Sequence, residues 1–110
     1  MKQTDLAWAA GFIDGGGCFY VQKLPTRAYM RLAVDQADEV PGKPATVLKR
    51  VQEVVGGSFQ SRPQRGTRRA QHKLIVNREE RVHAAAKKLW KYLGPVKREQ
   101  YLEAKRKCSI

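Results

Sequence analysis

The sequence predicts an α+β domain, a four-stranded antiparallel sheet with helices on one face and a further helix at the C-terminus. Three observations predict it. Stretches of period-two alternation occur as a pair in each half of the chain, each pair follows a helical stretch, and a long helical pattern closes the sequence. The order α-β-β therefore occurs twice, as a loose internal repeat, before the last two helices. With 110 residues the chain can build one core but not two, so residues 1–110 are read as a single domain.

Each element has its own signals. Thr4 can cap the first helix, with Asp5 at the positive end of its dipole, and Leu6 to about Ile13 are acceptable helix formers. Ala7, Gly11 and Gly15 recur at i, i+4 and i+8, a ridge too small to bury much but one that lets another backbone come close. Gly15, Gly16 and Gly17 interrupt the run "AAGFIDGGGCF" and mark the exit from the helix. In the strand from Cys18 to Leu24, Phe19 and Val21 share one face and Tyr20 and Gln22 the other. "LPTRAY" is the hairpin connection, with Pro25 as breaker. From Tyr29 to Asp35, Met30, Leu32 and Val34 alternate with Tyr29, Arg31, Ala33 and Asp35.

After the loop "DEVPGKPA", a helix from Ala45 to Val55 carries the stripe Val47, Leu48, Val51, Val54 and Val55, and Gly56 and Gly57 close it. A strand near Ser58 to Arg62, the basic loop "PQRGTRR" and a strand from Arg69 to Val76 follow. Asn77 and Glu80 form a capping-box pattern for a helix running to about Leu93, which Gly94 and Pro95 stop. The last helix begins near Val96 and runs into "YLEAKRK".

Lys and Arg number 22 against 10 Asp and Glu, a formal charge of +12. A compact domain so charged repels itself unless a polyanion is its usual partner, which makes nucleic acid the leading partner class. A membrane partner is not expected: there is no apolar run of spanning length and no basic amphipathic anchor. A small-molecule substrate is not expected either. Cys18 and Cys108 lack the spacing of a disulfide framework or a zinc site. The N-terminal residues lack the zones of a secretory signal, so an intracellular location, in cytoplasm, nucleoid or an organelle, is expected.

On the sheet face left open by the helices, the alternation places Tyr20, Gln22, Tyr29, Arg31, Arg69, Gln71 and Lys73. Any solvated sheet face is polar. Here aromatic, amide and basic residues occur together, beside the loop "RPQRGTRR" and with almost no acids. That combination suits a DNA groove, where Arg and Lys read guanine and Gln reads adenine. Arg27, Gln60, Arg62, Arg65 and Arg68 complete the candidate DNA-binding set. Trp8 and Trp90 are assigned to the core, His72 to a buried hydrogen-bonded place, and His83 to no role. Cys18 is a small packing or DNA-facing residue, and the tail "KRKCSI" adds non-specific phosphate attraction.

"AAGFIDGGG" resembles the signature of the LAGLIDADG homing-endonuclease family at Ala10, Gly11, Phe12, Ile13, Asp14, Gly15 and Gly17, and "LGPVKREQYLEAK" resembles the family's segment after the last core helix. The similarity covers most of the chain. It implies the family's αββαββα core and a homodimer that pairs through the motif helices, with Ala7, Ala10, Gly11, Asp14 and Gly15 at the interface. It also implies a double-stranded DNA partner with a long pseudo-palindromic site, and Mg2+-dependent phosphodiester hydrolysis. In the family an acid directly before the motif's last glycine holds the metal; here that position is Gly16. A glycine offers only its carbonyl, so this contribution is weak or lost, while the backbone carbonyl of Gly15 matches a second family ligand. Gln36 resembles the family residue that orders active-site water, and Lys97 a lysine near the scissile phosphate. The expectation is specific DNA binding with cleavage lost or impaired, by natural degeneration or by an introduced change. The alternatives are a structural RNA- or intron-binding protein that kept the fold and, ranked last, a nuclease that rebuilds its metal site from Asp14 or from carbonyls.

Overall fold

The computed structural model describes residues 2–37, 46–62 and 71–108. Helix α1 (Gln3–Gly16) leads into β1 (Gly17–Lys23) and β2 (Ala28–Ala37); α2 (Val47–Val55) leads into β3 (Ser58–Arg62) and β4 (Gln71–Val76). Helix α3 (Glu79–Leu89), a 3-10 turn (Trp90–Tyr92) and α4 (Pro95–Cys108) complete the order. The strands form one four-stranded antiparallel sheet in the order β1-β2-β4-β3, so the two hairpins join through their second strands. No described helix is long and apolar enough to cross a membrane.

The core lies between the helices and one sheet face. Met30, Leu32 and Val34 of β2, Leu74 and Val76 of β4, and Phe19 of β1 pack on Ala9, Ala10 and Ile13 of α1, Leu48 and Val51 of α2, and Val82 and Leu89 of α3. Burying each larger aliphatic side chain contributes roughly 1.5–3 kcal/mol. The alternation expected in β2 and the stripe expected in α2 are both observed. Trp8 and Trp90 pack half-buried against this core.

Helix ends differ from expectation. α1 starts at Gln3, with Lys2 before it and no side-chain cap, so Thr4 lies inside the helix. α3 likewise starts after Arg78 with no side-chain cap, and the Asn77–Glu80 box does not form. Glu79 instead reaches across to the sheet, where its Oε1 accepts the backbone N–H of Met30 at 3.1 Å, on the edge of β2 beyond the end of β4. In the same way Gln100 of α4 accepts the N–H of Phe19 at 2.7 Å along edge strand β1. Both contacts satisfy edge donors that would otherwise invite pairing with another chain.

Gly15 and Gly16 are helical, and only Gly17 leaves α1. A Cβ on Gly17 would lie 2.8 Å from Ile13 Cγ2 and 3.0 Å from Ile13 O. The helix thus turns into the strand without a loop, through a contact only glycine permits. Gly57 is required for a second reason: its φ is +99°, and a Cβ there would stand 2.5 Å from the carbonyl oxygen of Ile75. Gly57→Ala is expected to destabilise the fold by about 2–3 kcal/mol, read as a lower urea midpoint with an unchanged m-value; Gly56→Ala, also strained at φ +77° but with open space around it, should cost less.

Candidate functional site

The register assigns each strand residue to a face. Cys18, Tyr20 and Gln22 of β1, Tyr29, Arg31, Ala33 and Asp35 of β2, Gln71, Lys73 and Ile75 of β4, and Ser58 and Gln60 of β3 line the face away from the helices. Tyr20 pairs across with Arg31, Gln22 with Tyr29, and Arg62 with Gln71. The row Asp35, Lys73, Gln60 crosses three strands. The expected set Tyr20, Gln22, Tyr29, Arg31, Gln60, Gln71 and Lys73 is therefore gathered on one surface. Arg65, Arg68 and Arg69 lie outside the described residues, and Arg62 is placed by its backbone alone.

Two ion pairs of this surface were not expected. Arg27 is tied back: its guanidinium stands 3.6 Å from Glu79 Oε2 and 4.1 Å above the Tyr29 ring. Asp35 places a carboxylate on the basic face, and Lys73 answers it at 3.7 Å. Its parity in β2 already put it on this face; only the strand pairing shows that Lys73 lies opposite.

Position 16 is at the exposed C-terminal end of α1, where a Cβ would make an ordinary 3.6 Å contact with the carbonyl oxygen of Asp35. Gln36 follows on β2, half-buried, with its pleat turned towards His72 and away from the open face. Lys97 lies half-buried in the first turn of α4. The start of α4 is held to the end of α1 by Asp14, whose two carboxylate oxygens each accept the N–H of Gly94 at 3.0 Å. The ends of α1 and β2 and the start of α4 thus converge, and the three candidate catalytic positions come from three elements.

The fold of this unit is shared. Its backbone matches that of the homing endonuclease I-CvuI in complex with its target, with a TM-score of 0.68 at 22% identity, over 94% of this chain and 65% of that one. It also matches the I-LtrWI LAGLIDADG homing endonuclease bound to target DNA (TM-score 0.68, 17% identity, 94% of this chain and 36% of that one). The intron-encoded homing endonuclease I-CeuI complexed with DNA gives a TM-score of 0.63 at 14% identity, over 96% of this chain and 54% of that one. The chain has the LAGLIDADG homing-endonuclease fold. It spans less than two thirds of the length of each of these structures. No family model matches the sequence, and neither does any curated protein.

Within this LAGLIDADG fold the described residues do not assemble a Mg2+ site. Position 16 has no side chain, Asp14 is bound to Gly94, and Asp35 is paired with Lys73. Among the described residues no group of three or more His, Cys, Asp and Glu could hold a metal ion. The proposed rebuilding of a site from Asp14 meets a geometric obstacle, since its carboxylate stabilises the N-terminus of α4 instead. Asp14→Ala is expected to cost about 1 kcal/mol, as loss of an N-terminal cap does, and to speed hydrogen exchange at the Gly94 amide.

On the outer side of α1, Ala7, Gly11 and Gly15 are exposed, and a Cβ on Gly11 or Gly15 would meet nothing within 4 Å. Ala10, expected beside them, is instead wholly buried in the core and has no surface to offer a second copy. His83, given no role from sequence, hydrogen-bonds through Nδ1 to the Tyr101 hydroxyl at 2.6 Å. Burial pushes the Tyr101 hydroxyl pKa up. The two residues lie in different helices, and no sequence periodicity relates them. His72, expected to be buried, is half-buried and bonds Ser61 Oγ at 2.9 Å. Cys18 is exposed on the open face.

Proposed function

We propose that this chain is a single-motif member of the LAGLIDADG homing-endonuclease family that binds a long double-stranded DNA site as a homodimer, with phosphodiester cleavage lost or impaired through Gly16. One observation carries the reading. The sheet is apolar towards the helices, while its open side presents Tyr20, Gln22, Tyr29, Arg31, Gln60, Gln71 and Lys73 on adjacent strands, in a chain of formal charge +12. A twisted sheet surface of amides, cations and tyrosines offers donors to base edges and cations to phosphates together. The proteins of like fold named above were solved in complex with DNA, which favours DNA over other polyanions.

Pairing is supported by α1. From Leu6 to Ile13 it has no charged residue, yet its outer ridge of Ala7, Gly11 and Gly15 stays uncovered in the single chain. Small residues at such spacing let two helix backbones approach closely. In the dimer the two open sheets would then face the same duplex.

Selection from randomised duplexes tests the reading. Recovery of a long motif with two-fold symmetry is the expected result. A preference for structured RNA in a parallel selection, with no duplex motif, would replace it with the RNA-binding alternative.

A further inference from the structure

The pair formed by Asp35 and Lys73 is the feature that DNA binding alone does not account for. A carboxylate on a face turned to phosphates is repelled by them. Its partner Lys73 would attract phosphate better without it. The pair does little for the fold, because both side chains are open to solvent, at 63% for Asp35 and 39% for Lys73, and stand 3.7 Å apart. Neither stability nor phosphate attraction explains an acid at this place.

Base-edge chemistry does. In the major groove a G·C pair shows the cytosine N4 amino group, a donor, directly beside the guanine O6, an acceptor. These two atoms are hydrogen-bonded to one another, so they lie about 2.9 Å apart. Asp35 offers only acceptors and Lys73 only donors. Their 3.7 Å spacing, side by side on neighbouring strands of the open face, is the complement of that edge. They line a depression of about 320 Å3 together with Gln60, which is next in the same row and can donate to the remaining guanine acceptor, N7.

We infer that Asp35 and Lys73 act as one specificity-determining couple that reads a G·C pair, in one orientation, in each half-site. The inference rests on the DNA-binding reading. In the free protein the two groups hold one another; on the duplex each exchanges its partner for a base atom of matching character. The couple is nearly neutral, so it selects sequence while adding little to overall affinity.

The test is the duplex selection repeated with Asp35→Asn, Lys73→Gln and the exchange Asp35→Lys with Lys73→Asp. For the unsubstituted chain, one position in each half-site should be fixed as G·C. Both single variants should relax preference at that same position by roughly tenfold, the scale of one good base contact, and leave the others alone. The exchange should turn the preference round, so that cytosine stands where guanine stood. The couple is overturned if all variants keep the unsubstituted consensus, or if preference weakens evenly along the site as loss of a phosphate contact would make it. Absence of any duplex consensus for the unsubstituted chain removes the DNA-binding reading itself, which is a different result. Asp35→Asn is nearly isosteric on an exposed strand position, so it keeps the measurement open should the exchanged pair fold poorly.

Discussion

Gly16→Glu is expected to give the proposed dimer Mg2+-dependent double-strand cleavage of its selected site, with little or none from the unsubstituted chain. The fold does not demand glycine at 16. Its φ is not positive, and a Cβ would make only an ordinary contact, 3.6 Å from Asp35 O. A side chain there starts at the exposed end of α1, beside β2. A carboxylate would supply the charged hard ligand that a carbonyl cannot equal. Metal assistance stabilises a transition state by several kcal/mol, and each ~1.4 kcal/mol is tenfold in rate, so the gain should be on the order of 10³-fold or more. Gly16→Gln is the control, with the same bulk and no charge. Cutting by the unsubstituted chain, or equal cutting by the Gln and Glu variants, would show that the missing acid is not what silences the site.

The second large effect concerns pairing. Gly11→Arg should leave the single chain folded, since a Cβ at 11 meets nothing within 4 Å and arginine favours a helix over glycine by up to about 1 kcal/mol. It should nevertheless abolish the proposed pairing, because a long charged side chain cannot lie between two closely crossing helices. Two linked half-sites bind about 10² to 10⁴ times more tightly than one, so affinity for the full site should fall by that factor. Light scattering would report the mass and a melting curve the stability. A dimer of unchanged affinity in the variant would place the contact elsewhere, and a monomer bound to its full target in the unsubstituted chain would overturn the proposed homodimer.

Much of the architecture could be read in advance because the sheet packs only one side against the helices. Met30, Leu32 and Val34 announce their face by period two, and the same count placed Tyr29, Arg31 and Asp35 opposite. The stripe of α2 was equally plain, since Leu48, Val51, Val54 and Val55 are all buried. The helix ends were not. Thr4 and the Asn77–Glu80 box carry capping chemistry that the backbone does not use, and Glu79 turned out to serve an edge donor of β2. Such contacts join residues far apart in the chain, and no local pattern encodes them. The same holds for the site. Gly16, Gln36 and Lys97 were singled out by resemblance, whereas the Asp14–Gly94 bridge, the Arg27–Glu79 tie and the Asp35–Lys73 pair each depend on which elements meet.

Gly17 joins α1 to β1 with no intervening residue, in a contact that excludes any side chain. In the proposed dimer, paired through α1, helix and sheet would then move as one lever, and the gap between the two sheets would have no slack. A duplex turns by one helical repeat in about 10 to 10.5 base pairs, so a single pair inserted at the centre of the target swings one half-site by roughly 34° relative to the other. A jointed molecule would absorb that twist; the α1–β1 junction has no loop with which to follow it, so in the proposed dimer a target lengthened by one central pair should be held by one half alone.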